Sequence, residues 1–165
     1  MALFEHKTFI KHDDYMTPKS AWEDIKDFIP TDKVIWEAFY GDGKSGEYLR
    51  ELGFNVVHND NDFYEGNEGD IVVSNPPFSD YKRILQRLKD LNKPFILILP
   101  SSKINTQAFR KIFCDDDNIQ LIIPRKRIQF KKMVNGVMSK SSNANFDCFY
   151  YCWKIGLKKD ITWIN

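Results

Sequence analysis

The chain of 165 residues sets 24 lysines and arginines against 23 aspartates and glutamates, and 42% of it is hydrophobic. That length and apolar fraction predict a single domain over residues 1–165 with one sizeable core, and the composition excludes disordered, collagen-like and coiled-coil chains. The most apolar run, residues 95–99, falls far below the ~18 residues a membrane span requires, so no membrane association is expected.

Taken in chain order, Thr17-Pro18 reads as a helix start, an N-cap followed by proline at the first helical position. Trp22, Ile25 and Ile29 recur at helical spacing and Pro30 closes the segment. Residues 33–37 read as a buried strand. A glycine-rich turn follows, then a short helix over 47–52 stopped by Gly53. Residues 54–58 and 70–74 read as the next strands. Ser79 is expected to cap a helix carrying Ile84, Leu85, Leu88 and Leu91, and residues 95–99, 119–123 and 146–153 complete the strands. Alternating strands and helices predict an α/β fold with a mostly parallel sheet and helices on both faces. Residues 62–69 hold too few apolar side chains for another buried strand, so about six strands are expected.

Charge is unevenly distributed. Residues 118–146 contain six bases (Arg125, Lys126, Arg127, Lys131, Lys132 and Lys140) and no acid, leaving 18 bases to face all 23 acids elsewhere. A basic segment on an otherwise acidic domain points to an anionic partner such as nucleic acid, and equally fits a solvated loop. Gly136 and residues 139–145 read as a mobile loop that could order on substrate, and equally as a simple surface loop. Cys114, Cys148 and Cys152 have no CxxC spacing and His6, His12 and His58 are scattered. Neither a disulfide framework nor a metal site is expected. The first residues carry no secretion pattern, which predicts an intracellular protein, cytoplasmic or nuclear.

The glycine turn runs Glu37-Ala38-Phe39-Tyr40-Gly41-Asp42-Gly43-Lys44-Ser45-Gly46. Between a strand and a helix, glycines let a ligand approach the backbone and the helix N-terminus offers free N–H groups. Gly41, Gly43 and Gly46 satisfy GxGxxG, with Asp60 and Asp62 near the place of a ribose-binding acid. Gly43-Lys44-Ser45 matches the end of a P-loop, but Ala38 stands where that motif needs its first glycine. An acid after the first strand, then glycines, then an acid after the second strand also fits an S-adenosylmethionine site. A plain strand-to-helix turn is the remaining reading.

Ser74-Asn75-Pro76-Pro77-Phe78 follows a strand at the carboxyl edge of the sheet, where α/β proteins bind ligands. Two prolines fix the backbone and remove two N–H donors. The Asn75 side-chain oxygen and the Pro76 carbonyl then form a pair of acceptors suited to an NH₂ group, and Phe78 offers a flat surface to a planar ring. An NAD-linked oxidoreductase leaves this sequence unexplained.

Asn75-Pro76-Pro77-Phe78 resembles the catalytic motif of S-adenosylmethionine-dependent N6-adenine DNA methyltransferases, and residues 37–43 resemble their cofactor loop. Asp14-Tyr15-Met16-Thr17-Pro18 is similar to the N-terminal motif that closes over the methionine end of the cofactor, and the order of the three is that of the gamma arrangement. The resemblance spans about residues 14 to 153. It implies a Rossmann-like class I methyltransferase sheet and S-adenosyl-L-methionine as cofactor. Tyr15, Thr17 and Pro18 would hold the methionine end, Glu37 would face its amino group, and Phe39, Gly41 and Gly43 would line the loop. Asp60 would take the ribose, and Asp62 and Phe63 the cofactor adenine. Asn75, Pro76, Pro77 and Phe78 would be catalytic, with Arg125, Lys126, Arg127, Lys131 and Lys132 on phosphates of DNA in preference to RNA. The family's loop usually opens Asp-Pro where this chain has Glu37-Ala38, and no room remains for a separate target-recognition domain, a task left to a protein partner. A non-catalytic nucleic-acid-binding or regulatory subunit that keeps the fold is the alternative, and RNA or a protein glutamine could meet the same acceptors.

Overall fold

The computed structural model describes residues 15–134, 137–138 and 146–165. Asp14 and the loop expected at Gly136 and 139–145 lie outside the described residues, as does the Lys132 side chain. The strands are β1 (Tyr15–Met16), β2 (Val34–Trp36), β3 (Asn55–Val57), β4 (Ile71–Ser74), β5 (Phe95–Pro100), β6 (Ile119–Ile123), β7 (Lys131–Val134), β8 (Val137–Met138), β9 (Cys148–Trp153) and β10 (Ile161–Trp163). The helices are α1 (Lys19–Glu23), α2 (Lys44–Glu51), α3 (Tyr81–Asp90) and α4 (Gln107–Phe113).

A mostly parallel sheet of seven strands, in the order β10-β6-β9-β5-β4-β2-β3, forms the α/β framework, and only β9 runs antiparallel to its neighbours. All six residues of β5 are buried, the continuous apolar run expected of a central strand covered on both faces. From β2 the chain crosses through α2 to β3 on one side, and from β4 through α3 to β5 on the other. Right-handed crossovers in opposite directions put these two helices on opposite faces. The reversal leaves a crevice between the carboxyl ends of β2 and β4, the usual ligand position in open α/β sheets.

The count is seven strands and not about six because β10 adds a parallel edge to β6. Ile161 and Trp163 of this short edge strand are exposed, so it carries no buried alternation to read. No strand forms over residues 62–69, as expected. Cations hold that segment instead: Arg87 donates to the Phe63 and Gly66 carbonyls at 3.1 and 2.7 Å, and the buried Lys93 to the Gly69 carbonyl at 2.7 Å.

The helical boundaries also differ. The first helix ends at Glu23 and a 3₁₀ turn, Lys26–Phe28, follows. Tyr150 supplies the reason: its hydroxyl donates to the Ala21 carbonyl at 2.6 Å, and the Ile25 N–H turns to the Trp22 carbonyl at 3.3 Å. Pro18, not Thr17, is the N-cap of α1. The second helix begins at Lys44, three residues before the expected start, directly on the glycine turn. Asp80 rather than Ser79 occupies the N-cap of α3. A second, three-stranded sheet, β1-β7-β8, pairs Tyr15 with Lys132 and Met16 with Lys131, which draws the N-terminal motif onto the basic segment.

Candidate functional site

Glu37 leaves the end of β2 and is almost fully buried. Its Oε1 accepts a hydrogen bond from the Phe39 N–H at 3.0 Å and another from the Ser74 hydroxyl at the end of β4. The two strand ends flanking the crevice are thus joined through one carboxyl group. Burial pushes that carboxyl up to about 8, against the opposing pull of the Ser74 and Phe39 hydrogen bonds. The group is therefore mostly neutral at pH 7 and poised to ionise when a cation arrives beside it.

Gly41 and Gly43 have φ of 58° and 84°, left-handed conformations that carry the chain round the turn into α2. A Cβ on Gly41 would lie 3.5 Å from the Met16 sulfur, so the Met16 thioether covers this part of the turn. Gly46 has a different role. A Cβ there would fall 1.9 Å from His58 Nδ1, so its bare backbone lets the histidine that follows β3 pack against α2. His58 also stacks on Tyr40 at 4.7 Å, and burial lowers its basicity. Ser45 Oγ accepts from Trp22 Nε1 at 3.1 Å and serves the packing of α1 on α2.

After β4, Asn75 donates from Nδ2 to the Tyr15 carbonyl at 3.0 Å. Only the amide nitrogen can face a carbonyl, so this bond fixes which way the side chain points. Asn75 Oδ1 is buried with no hydrogen-bond partner. An acceptor in that state costs about 1–3 kcal/mol, a penalty that a donor arriving from a ligand would remove. Pro76 and Pro77 are buried beside it. Phe78 meets Tyr15, Phe130 and Phe146 with ring centroids 6.5, 6.4 and 5.3 Å away, and Phe146 stands nearly perpendicular to both Tyr15 and Phe78. Four aromatic rings from four parts of the chain thus gather around Phe78, three residues after Asn75.

Phe130 and Phe146 are absent from the residues picked out in the sequence. The alternation of exposed Arg127, Gln129 and Lys131 with buried Ile128 and Phe130 was the available signal. Ser74 was likewise overlooked as the partner of Glu37.

The remaining expected residues are distributed as follows. Thr17 Oγ1 is buried and without a partner, since it caps no helix. Phe39 packs on Phe63 at 4.7 Å, and Phe63 is itself fully enclosed between Trp36, Phe39 and Tyr64. Phe63 therefore underlies its loop, and its expected contact with a cofactor adenine is not open in this conformation. Asp62 accepts from the Tyr64 N–H at 3.0 Å and so shapes the 3₁₀ turn Phe63–Glu65, while Asp60 is exposed just beyond β3. Arg125, Lys126 and Lys131 are exposed, and Arg127 pairs with Asp147 at 2.9 Å.

Among the described residues no cluster of three or more His, Cys, Asp or Glu is placed to hold a metal, and no helix is long and apolar enough to cross a membrane. No family model matches this chain, and no curated protein matches it. A buried acid at a switch point, a glycine turn and unmet polar atoms on Thr17 and Asn75 fit a cationic, polar ligand better than an apolar one.

Proposed function

We propose that the chain is an S-adenosylmethionine-dependent methyltransferase acting on the N6 amino group of adenine in nucleic acid, DNA in preference to RNA. The observation that carries this reading is the Asn75 side chain. Its amide nitrogen is tethered to the Tyr15 carbonyl, and its oxygen is buried without a partner, one residue before the buried Pro76 and three before Phe78 of the ring cluster. The sheet order and the crevice between β2 and β4 support the Rossmann-like class I methyltransferase fold that the motifs imply.

Thr17, Tyr15 and Pro18 would hold the methionine end of the cofactor, with Glu37 against its amino group and Phe39, Gly41 and Gly43 along the turn. Asp60 would accept from the ribose, and Asp62 would lie by the cofactor adenine. When bound, the cofactor supplies an electrophilic methyl group. The target base is turned out of its stack and read on its polar edge. Phe78 and its neighbouring rings receive the base face, an interaction worth ~1–3 kcal/mol. Asn75 Oδ1 and the Pro76 carbonyl accept the two N6 hydrogens, which raises electron density on that nitrogen and aims its lone pair. Pro77 holds the turn rigid. Arg125, Lys126 and Lys131 bind phosphates, with Lys132 following on the same strand. A nucleic-acid substrate places the protein inside the cell, cytoplasmic or nuclear, and a protein partner would supply target recognition.

One observation favours the second reading, a non-catalytic nucleic-acid-binding or regulatory subunit. Met16 covers Gly41, where the cofactor's methionine end would approach. Incubation with methyl-labelled cofactor and DNA, RNA and protein substrates tests both. Label on adenine N6 in DNA supports the enzyme. Cofactor binding too weak for calorimetry, with nucleic-acid binding intact, supports the subunit.

A further inference from the structure

Tyr64 and Asp80 belong to two different loops at the carboxyl edge of the sheet. Tyr64 lies in the turn after β3 that Asp62 shapes, and Asp80 ends the 3₁₀ turn Phe78–Asp80 that continues from Asn75-Pro76-Pro77. The Tyr64 hydroxyl donates to Asp80 Oδ2. Arg83 lies over the Tyr64 ring at 4.3 Å and approaches the same Asp80 oxygen at 3.7 Å. Asp80 is also the N-cap of α3, a position where aspartate normally accepts from backbone N–H groups of the first turn. Here it makes no such side-chain bond. Its carboxylate forgoes that cap and reaches instead to another loop.

We infer that the Tyr64–Asp80 hydrogen bond is a positioning link that carries occupancy of the cofactor-adenine loop to the catalytic turn. This rests on the site reading above. Asp60 and Asp62 flank the near end of the link, and Phe78 lies two residues before its far end. A ligand that orders residues 60–64 thereby orders the turn that presents Phe78 and, through it, Asn75. Tyr64 and Asp80 are positioning residues, since neither need touch a reacting atom. Burial and the neighbouring Asp80 hold the Tyr64 phenol well above its ordinary value, which keeps the donor proton in place at any working pH.

Amide hydrogen exchange of the whole chain, with and without saturating S-adenosylmethionine, tests the link. In wild type, protection should rise over both 61–66 and 78–82. In Tyr64→Phe, saturated at its own affinity, protection over 61–66 should stay within about twofold of wild type, while 78–82 loses at least fivefold of its gain. Asp80→Ala should reproduce that loss from the other side. Asp80→Asn, whose amide oxygen still accepts from Tyr64, should restore most of it. Wild-type protection of 78–82 in Tyr64→Phe or Asp80→Ala overturns the inference alone. A wild-type chain that binds no cofactor in calorimetry overturns the functional reading and the link with it, so the two failures are distinct.

Discussion

The Ser74 hydroxyl donates to the buried carboxyl of Glu37, so the first residue past β2 and the last residue of β4 meet across the point where the strand order reverses. A polar contact there is held by two strand ends and needs no loop to form. It also places a proton-binding group beside the glycine turn.

Stability should respond to this group. The Glu37 carboxyl ionises near 4.5 when unfolded and near 8 when folded. Between those values the folded state holds a proton that the unfolded state has lost, so the contribution of this group to stability is fully present below about pH 4.5 and is lost as pH rises through about 8. Urea midpoints at pH 5 and pH 8 should show a decline of a few kcal/mol from this group, about 1.4 kcal/mol per unit at most, that Glu37→Gln removes. A wild-type decline that persists in Glu37→Gln refutes the assignment.

Cofactor binding should shift in the opposite sense. An ammonium beside Glu37 favours its ionised form, so binding expels a proton wherever the free protein is still protonated. Affinity for S-adenosylmethionine should rise between pH 6 and 8, by up to about tenfold per unit. Calorimetry in buffers of different ionisation enthalpy should register a proton released near pH 7, and a binding heat independent of buffer counts against the contact.

Asn75→Ala should lower methyl transfer by about 10²–10³-fold or more, the scale for removing a hydrogen-bonding group aimed at the reacting centre. Loss of the Nδ2 bond to Tyr15 should lower stability by only about 1 kcal/mol. Cofactor affinity should stay within a few fold. Single-turnover rates and calorimetry on the same preparation separate these effects, and a wild-type rate would end the assignment of Asn75.

The basic segment should not act uniformly. Arg125→Ala and Lys126→Ala should each reduce the slope of log K against log salt by about one, with affinity falling alike across sequences. Arg127→Ala should change the slope less, because its guanidinium is already engaged by Asp147. Titrations from 50 to 200 mM salt measure this, and equal slopes for all three variants would contradict the pairing.

Gly46→Ala should lower stability by about 1–3 kcal/mol, since the added methyl falls 1.9 Å from a His58 ring that is stacked on Tyr40. Gly53→Ala has open space and should cost about 1–2 kcal/mol, from its φ of 99° alone. Thermal melts of Gly46→Ala with His58→Ala in the same chain should recover part of the loss. A loss unchanged by removing the ring would show that the contact is not the cause.

The strands at the centre of the sheet were legible because their signal is local. Residues 35–36, 71–73 and 95–99 are buried on both faces and had to be apolar runs. The Asn75-Pro76-Pro77-Phe78 turn was legible for a related reason: two prolines dictate backbone geometry whatever surrounds them. The edge strand β10 and the early end of α1 were not. One lacks a buried face, and the other depends on a Tyr150 hydroxyl contributed from 129 residues away.

By itself, then, the sequence determined the alternation of strands and helices, the glycine turn at the end of β2 and the diproline turn at the end of β4. Only the tertiary structure decided that Ser74 reaches Glu37, that Thr17 keeps a free hydroxyl, and that Tyr15, Phe130 and Phe146 converge on Phe78. Propensity and periodicity act over a few residues, whereas these meetings follow from crossover directions, which bring Ser74 to Glu37 across 37 residues, and from the pairing of β1 with β7, which links parts of the chain more than a hundred residues apart.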